Sequence, residues 1–100
     1  MAIRVLLADD HTLLRQGLRR ILESQPDLVV IAEAASGLDA VELARQHRPD
    51  VAVVDIAMGE LNGIEATSQI LRHSPRTAVL ILSMHRDERY VTRAVKAGAH

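Results

Sequence analysis

An α/β protein built on a doubly wound parallel sheet is what this sequence predicts, and three observations predict it. Short apolar runs alternate four times with amphipathic stretches of helical spacing. The runs are apolar on nearly every residue rather than on every second one, and three of them stop at Asp or Ser. Strands that are dry on both faces belong to parallel sheets covered by helices on each side.

Each element has its own signal. Ile3 to Ala8 is apolar and partly β-branched and stops at Asp9-Asp10, the pattern of a short buried strand. From Thr12, Leu13, Leu14, Leu18, Ile21 and Leu22 fall on one stripe with Arg15, Gln16, Arg19, Arg20 and Glu23 between them, which predicts a first helix stopped by Gln25-Pro26-Asp27. Leu28 to Ala32 is a second strand. After Ala35-Ser36-Gly37, the residues Ala40, Val41, Leu43 and Ala44 mark a second helix that closes near His47-Arg48-Pro49. Val51 to Val54 is a third strand ending at Asp55, followed by a polar loop through Gly59 and Asn62-Gly63. Ile64, Ala66, Ile70 and Leu71 mark a third helix that ends before Pro75, and Thr77 to Leu82 is a fourth strand ending at Ser83. A fourth helix is expected over residues 86–97, with Val91, Ala94 and Val95 inward and Gly98 as its terminator. A further strand is expected after such a helix, yet the chain stops at Ala99-His100, so residues 1–100 read as one domain incomplete at its C-terminus.

Composition narrows the function classes. With 100 residues, 48% hydrophobic and 25% charged, the chain has the make-up of one packed domain rather than a disordered segment. A net charge of −1 argues against a basic face for phosphate backbones, so no direct nucleic-acid partner is expected. The absence of cysteine excludes disulfides, thiolate metal sites and a cysteine nucleophile. The longest apolar runs, Leu28 to Ala32 and Ala78 to Leu82, fall far short of the roughly 18 residues of a membrane span, so a soluble, cytoplasmic protein is expected. The five histidines are dispersed without zinc-ligand spacing, and no glycine-rich nucleotide fingerprint follows the first strand.

The chemical signal is positional. Asp9 and Asp10 follow the first strand, Asp55 the third and Ser83 the fourth, all at carboxyl ends, which in a doubly wound sheet share one rim where ligands bind. In the common order 2-1-3-4-5 the first and third strands are neighbours, and three carboxylates then meet in one pocket that His11 is placed to touch. Like charges at that range repel, and a hard divalent cation resolves the conflict. Oxygen donors with room for waters and a phosphate suit Mg2+. The plain alternatives are that Asp10 caps the first helix and that Asn62-Gly63 is a turn pair with Gly63 at positive φ. The stripe of Arg15, Arg19 and Arg20 reads as a solvated helix face.

The strings Val5-Leu6-Leu7-Ala8-Asp9-Asp10-His11, Arg15-Gln16-Gly17-Leu18, Val54-Asp55-Ile56-Ala57-Met58, Leu61-Asn62-Gly63-Ile64-Glu65-Ala66, Leu82-Ser83-Met84-His85 and Ala94-Val95-Lys96-Ala97-Gly98-Ala99 occur in this order over essentially the whole chain. Together they resemble the receiver domain of two-component response regulators, in the subfamily that usually carries a LuxR-type helix-turn-helix output. The resemblance implies a flavodoxin-like sheet of order 2-1-3-4, with the fifth strand and fifth helix missing. It implies that Asp55 is the phosphoacceptor for a sensor histidine kinase. Mg2+ would then be held by Asp10 and Asp55 side chains and the Ala57 carbonyl, with Asp9 acting mainly through a metal-bound water. Ser83 would be the hydroxyl that moves toward the phosphoryl group. The chain would be a signalling switch rather than an enzyme, regulating transcription and meeting DNA only through an output domain.

Two departures from the family pattern matter. Gly59 stands where the family usually has proline. The family's lysine and aromatic switch residue on a fifth strand have no counterpart, since Lys96 and Tyr90 fall within the expected fourth helix. The fourth strand is then an exposed edge, open to homo-oligomer formation or strand exchange. The alternative function is a receiver-shaped interaction module without phosphotransfer. A flavin-binding domain is disfavoured because three acids repel a flavin phosphate.

Overall fold

A computed structural model of the chain describes residues 2–56 and 62–82. The element order is β1 (Ile3–Ala8), α1 (Thr12–Glu23), β2 (Leu28–Ala34), α2 (Gly37–His47), β3 (Val51–Asp55), α3 (Gly63–His73) and β4 (Ala78–Leu82). The sheet has the order β2-β1-β3-β4 with every pair parallel, as expected. The helix expected over residues 86–97, with Tyr90, Lys96 and Gly98, lies outside the described residues, as do Ala57, Gly59 and Ser83.

The central strands are dry on both sides because successive side chains point to opposite faces. Leu6, Ala8, Ala52, Val54 and Val79 pack on one side against Ala40 and Ala44 of α2 and Ala66 and Ile70 of α3. The small residues on these helices let their backbones lie close to the sheet. On the other side Val5, Leu7, Val30 and Val53 meet Leu18 and Leu22 of α1.

Local hydrogen bonds set the ends of the helices. The Ser36 side chain accepts from the Asp39 amide to start α2, and Asn62 accepts from the Glu65 amide to start α3. α2 stops where Arg48 takes a left-handed conformation, φ 46°, with its amide on the Ala44 carbonyl. β4 begins at Ala78, one residue later than predicted. Thr77 is held instead by its amide on the Ser74 carbonyl and its hydroxyl on the Pro49 carbonyl.

β2 runs two residues past its predicted end, and the reason is a bulge. Val5 pairs with Val30, but Leu6 pairs with Ala32, so Ile31 is an extra residue. Val30 and Ala32 would otherwise share a face. Instead Val30 lies in the α1-side core, while Ala32 and Ala34 lie on the α2/α3 side. Glu33, opposite Leu7, is thereby carried to the α1 side, so a charged residue sits within the strand rather than ending it.

The other differences concern coverage. β4 is not dry on both faces: Leu80 is 45% exposed and Leu82 is also exposed, because α1 lies over β1 and β2 and stops short of them. The predicted stripe of α1 is wider than its contact. Leu13 and Ile21 are exposed at 84% and 66%, while Leu18, Leu22 and the Arg15 side chain occupy the face turned to the sheet.

Candidate functional site

The parallel pairing of β1 and β3 aligns Ala8 with Val54, which brings the residues just beyond, Asp9 and Asp55, to the same level of the carboxyl rim. Asp9 is fixed there by its amide, which donates to the Ala34 carbonyl of β2 at 3.0 Å. Asp9 is 1% exposed and Asp55 5%, whereas Asp10 is on the surface. One ligand atom from each of Asp9, Asp10, His11 and Asp55 lies within 4.8 Å of all the others. The structure therefore brings together the three acids singled out from the sequence, and adds an imidazole to them.

The pocket's electrostatics are lopsided. Asp9 Oδ1 accepts from the His11 amide at 2.8 Å, while Asp9 Oδ2 is buried without a hydrogen-bond partner. Among the described residues, three carboxylates and one imidazole gather here. The guanidinium of Arg15 is close by, but it donates to the Asp9 backbone carbonyl at 2.5 Å and to Glu33 Oε1 at 3.1 Å, not to the carboxylates of the pocket. Clustered carboxylates with a buried, unsatisfied Asp9 oxygen fit a divalent cation, and the hard oxygen donors fit Mg2+.

The plain alternatives read from the sequence are not what the structure shows. α1 begins at His11 with no side-chain cap, so Asp10 is not its cap. Gly63 is not at positive φ; it is the first residue of α3, and its need for glycine is spatial. A Cβ there would lie 2.3 Å from the Asp55 carbonyl oxygen. This contact, with the Gly63 amide on the Ile56 carbonyl at 2.9 Å, docks α3 directly against the end of β3 that carries Asp55.

Arg15 is also more than a solvated residue. Its side chain is 15% exposed and ties α1 to both Asp9 and Glu33. Arg19 adds a second contact to Glu33 and bonds Glu23, and these partners, Glu23 foremost, raise its pKa above the ordinary arginine value. No sequence signal marks this clasp, because it depends on the bulge that turns Glu33 toward α1. At the opposite rim, a groove of about 640 Å³ is lined by Pro49, Asp50, His73, Ser74 and Arg76, far along the strands from the acids.

Comparison with known proteins agrees with this geometry. The model of the response regulator receiver domain matches residues 5–100. The transcriptional regulatory protein DegU of Brevibacillus brevis is 44% identical over 97% of this chain and 41% of its own length. LiaR of Bacillus subtilis is 44% identical over 97% of this chain and 46% of its own. The chain thus spans less than half the length of these curated relatives. Among solved structures, the response regulator domain of Thermotoga maritima CheB superposes with a TM-score of 0.92 at 40% identity, covering 99% of this chain and 75% of that one. A LuxR-family two-component response regulator from an Aurantimonas species gives 0.92 at 37% identity, over 99% and 71%. Among the described residues no helix is long and apolar enough to cross a membrane. A parallel sheet of order 2-1-3-4 with acids gathered at its carboxyl rim, and a family match over nearly the whole length, place this chain in the response regulator receiver domain family.

Proposed function

We propose that the chain accepts a phosphoryl group on Asp55 from the phosphohistidine of a sensor histidine kinase, with Mg2+ in the acid pocket, and that this switches an attached transcriptional output in the cytoplasm. The observation that carries the reading is the convergence of Asp9, Asp10 and Asp55 from separate strand ends, with Asp9 Oδ2 buried and unpartnered. In the transfer an Asp55 carboxylate oxygen bonds to phosphorus as the bond from phosphorus to the histidine nitrogen breaks. The departing imidazole keeps the electron pair and Asp55 becomes an acyl phosphate.

Phosphoryl transfer depends mostly on positioning and on neutralising charge. Asp55 is positioned by its place at the end of β3 and by the close seat of α3 on its carbonyl. Asp10 and Asp55 would hold the cation through carboxylate oxygens, with Asp9 acting mainly through a bound water and Ala57 through its carbonyl. The cation would neutralise charge on the phosphoryl oxygens. Ser83 would donate its hydroxyl to the new phosphoryl group, a local event that shifts the segment behind it.

The test is intact mass after incubation with Mg2+ and a small acyl phosphate donor. One phosphoryl group is expected, removed by hydroxylamine, absent when a chelator replaces Mg2+, and absent in Asp55→Asn. No adduct in Mg2+, or one that survives Asp55→Asn, refutes the reading.

A further inference from the structure

His11 is the one nitrogen donor of the acid pocket among the described residues. Its Nδ1 lies 2.9 Å from Asp10 Oδ1, 3.2 Å from Asp9 Oδ1 and 3.8 Å from Asp55 Oδ2. Around an octahedral ion with donors at about 2.1 Å, adjacent donors stand about 3.0 Å apart and opposite ones about 4.2 Å. The 3.2 and 3.8 Å separations fall within that span and the 2.9 Å one sits at its lower edge, so the imidazole nitrogen is spaced from the carboxylates as a fellow ligand is spaced. A second observation points to an ion independently. The Asp9 side chain is 2% exposed, yet its Oδ2 has no hydrogen-bond partner. Nor is the imidazole committed elsewhere: the His11 ring makes no cap to α1, and the side chain is 66% exposed, free to turn at small cost.

We propose that His11 is a specificity-determining ligand of this pocket, and that its Nδ1 biases the site toward first-row transition divalent cations over Mg2+. This rests on reading the pocket as a cation site. Mg2+ favours oxygen donors and retains its waters, so it gains little from an imidazole. Cobalt, nickel and zinc ions gain much more from the same nitrogen. A pocket of carboxylates alone already binds transition ions better than Mg2+; His11 supplies a further increment, and that increment disappears with the ring.

Calorimetric titration of the full chain with Co2+ and, separately, with Mg2+ tests this, together with the visible absorption of bound Co2+ and its displacement by excess Mg2+. The variants are His11→Ala and His11→Phe, the second keeping the ring's bulk without its nitrogen. Both leave the His11 amide on Asp9 Oδ1. In both, Co2+ affinity is expected to fall about tenfold or more while Mg2+ affinity changes less than about twofold, and the Co2+ spectrum is expected to change. A ratio of Co2+ to Mg2+ affinity that stays within about twofold of the parent in both variants overturns the role of His11. If that happens while Mg2+ still binds and Asp55 is still phosphorylated, only the inference about His11 falls. If neither ion binds the parent chain, the cation site and this inference fall together.

Discussion

Gly63 gives the sharpest test of how the pocket is held. A Cβ at this position would lie 2.3 Å from the Asp55 carbonyl oxygen, 2.7 Å from Ile56 Cα and 2.9 Å from the Asp55 carbonyl carbon. All three are backbone atoms, so no side chain can rotate out of the way. The shortest contact falls about 1 Å short of ordinary van der Waals distance, so in Gly63→Ala α3 must lift from β3 and strain the Gly63 amide bond to Ile56. Overpacking typically costs about 1–3 kcal/mol, and rigid neighbours place this case near 3 kcal/mol, a large share of a small domain's stability. At roughly 4–8 °C per kcal/mol for a chain of this size, the midpoint of thermal unfolding is expected to fall by about 12–24 °C. Gly17 is the control: it lies mid-helix in α1 with nothing within 4 Å of a built Cβ among the described residues. Gly17→Ala is expected to stabilise by about 0.5–1 kcal/mol through helix propensity alone. Circular dichroism melts of both variants decide the matter. A Gly63→Ala midpoint within about 2 °C of the parent, or shifts of the same sign in both variants, refutes the argument.

Further outcomes follow from the other contacts. Asp10→Asn removes one of three repelling charges, so in metal-free buffer it is expected to melt higher than the parent, while Mg2+ raises the parent's midpoint more than the variant's. Thr77→Val leaves the buried Ser74 hydroxyl without its 2.6 Å partner and the Pro49 carbonyl without its side-chain donor, and urea unfolding should show a loss of about 1–3 kcal/mol. The Glu42 carboxyl is held below the usual carboxylate range, first by its hydrogen bond from Arg45 and then by Gln46. A lowered carboxyl pKa contributes stability above the ordinary range and loses it as pH falls through the lowered value. Any difference in melting between the parent and Arg45→Ala is therefore expected at neutral pH and should close in strong acid; a difference that widens in acid contradicts the assignment.

Much of the fold is legible because the punctuation is local. Pro26, Pro49 and Pro75 follow helices, Ser36 and Asn62 precede them, and the strands between are apolar at most positions. The pocket's membership is legible for a different reason: acids that end strands of one parallel sheet have to share a rim. That β1 and β3 are neighbours was not contained in those residues; it came with the family's strand order and is observed in the pairing of Ala8 with Val54. What stayed hidden depends on contacts distant in the chain. The predicted second strand stopped at Ala32, short of Glu33, because the extra residue Ile31 has no signature of its own, and Arg15 looked solvated because its partner was not yet in place. Gly63 was assigned to a turn because the proximity of Asp55 can be seen only once α3 is folded onto β3.

The bulge at Ile31 also limits how the pocket can be transplanted. A regular ladder with Ile31 set opposite Leu6 would instead place Glu33 opposite Ala8 and swing it toward Ala40 and Ala44, an anion aimed into a dry layer of methyl groups. Arg15 would lose its anchor at the same stroke, and with it the lever arm that steadies the main chain of Asp9. Anyone grafting these acids onto another sheet has to carry over the kink two strands' width from Asp55 as well, because the spacing from Val30 to Glu33 governs the site from outside it.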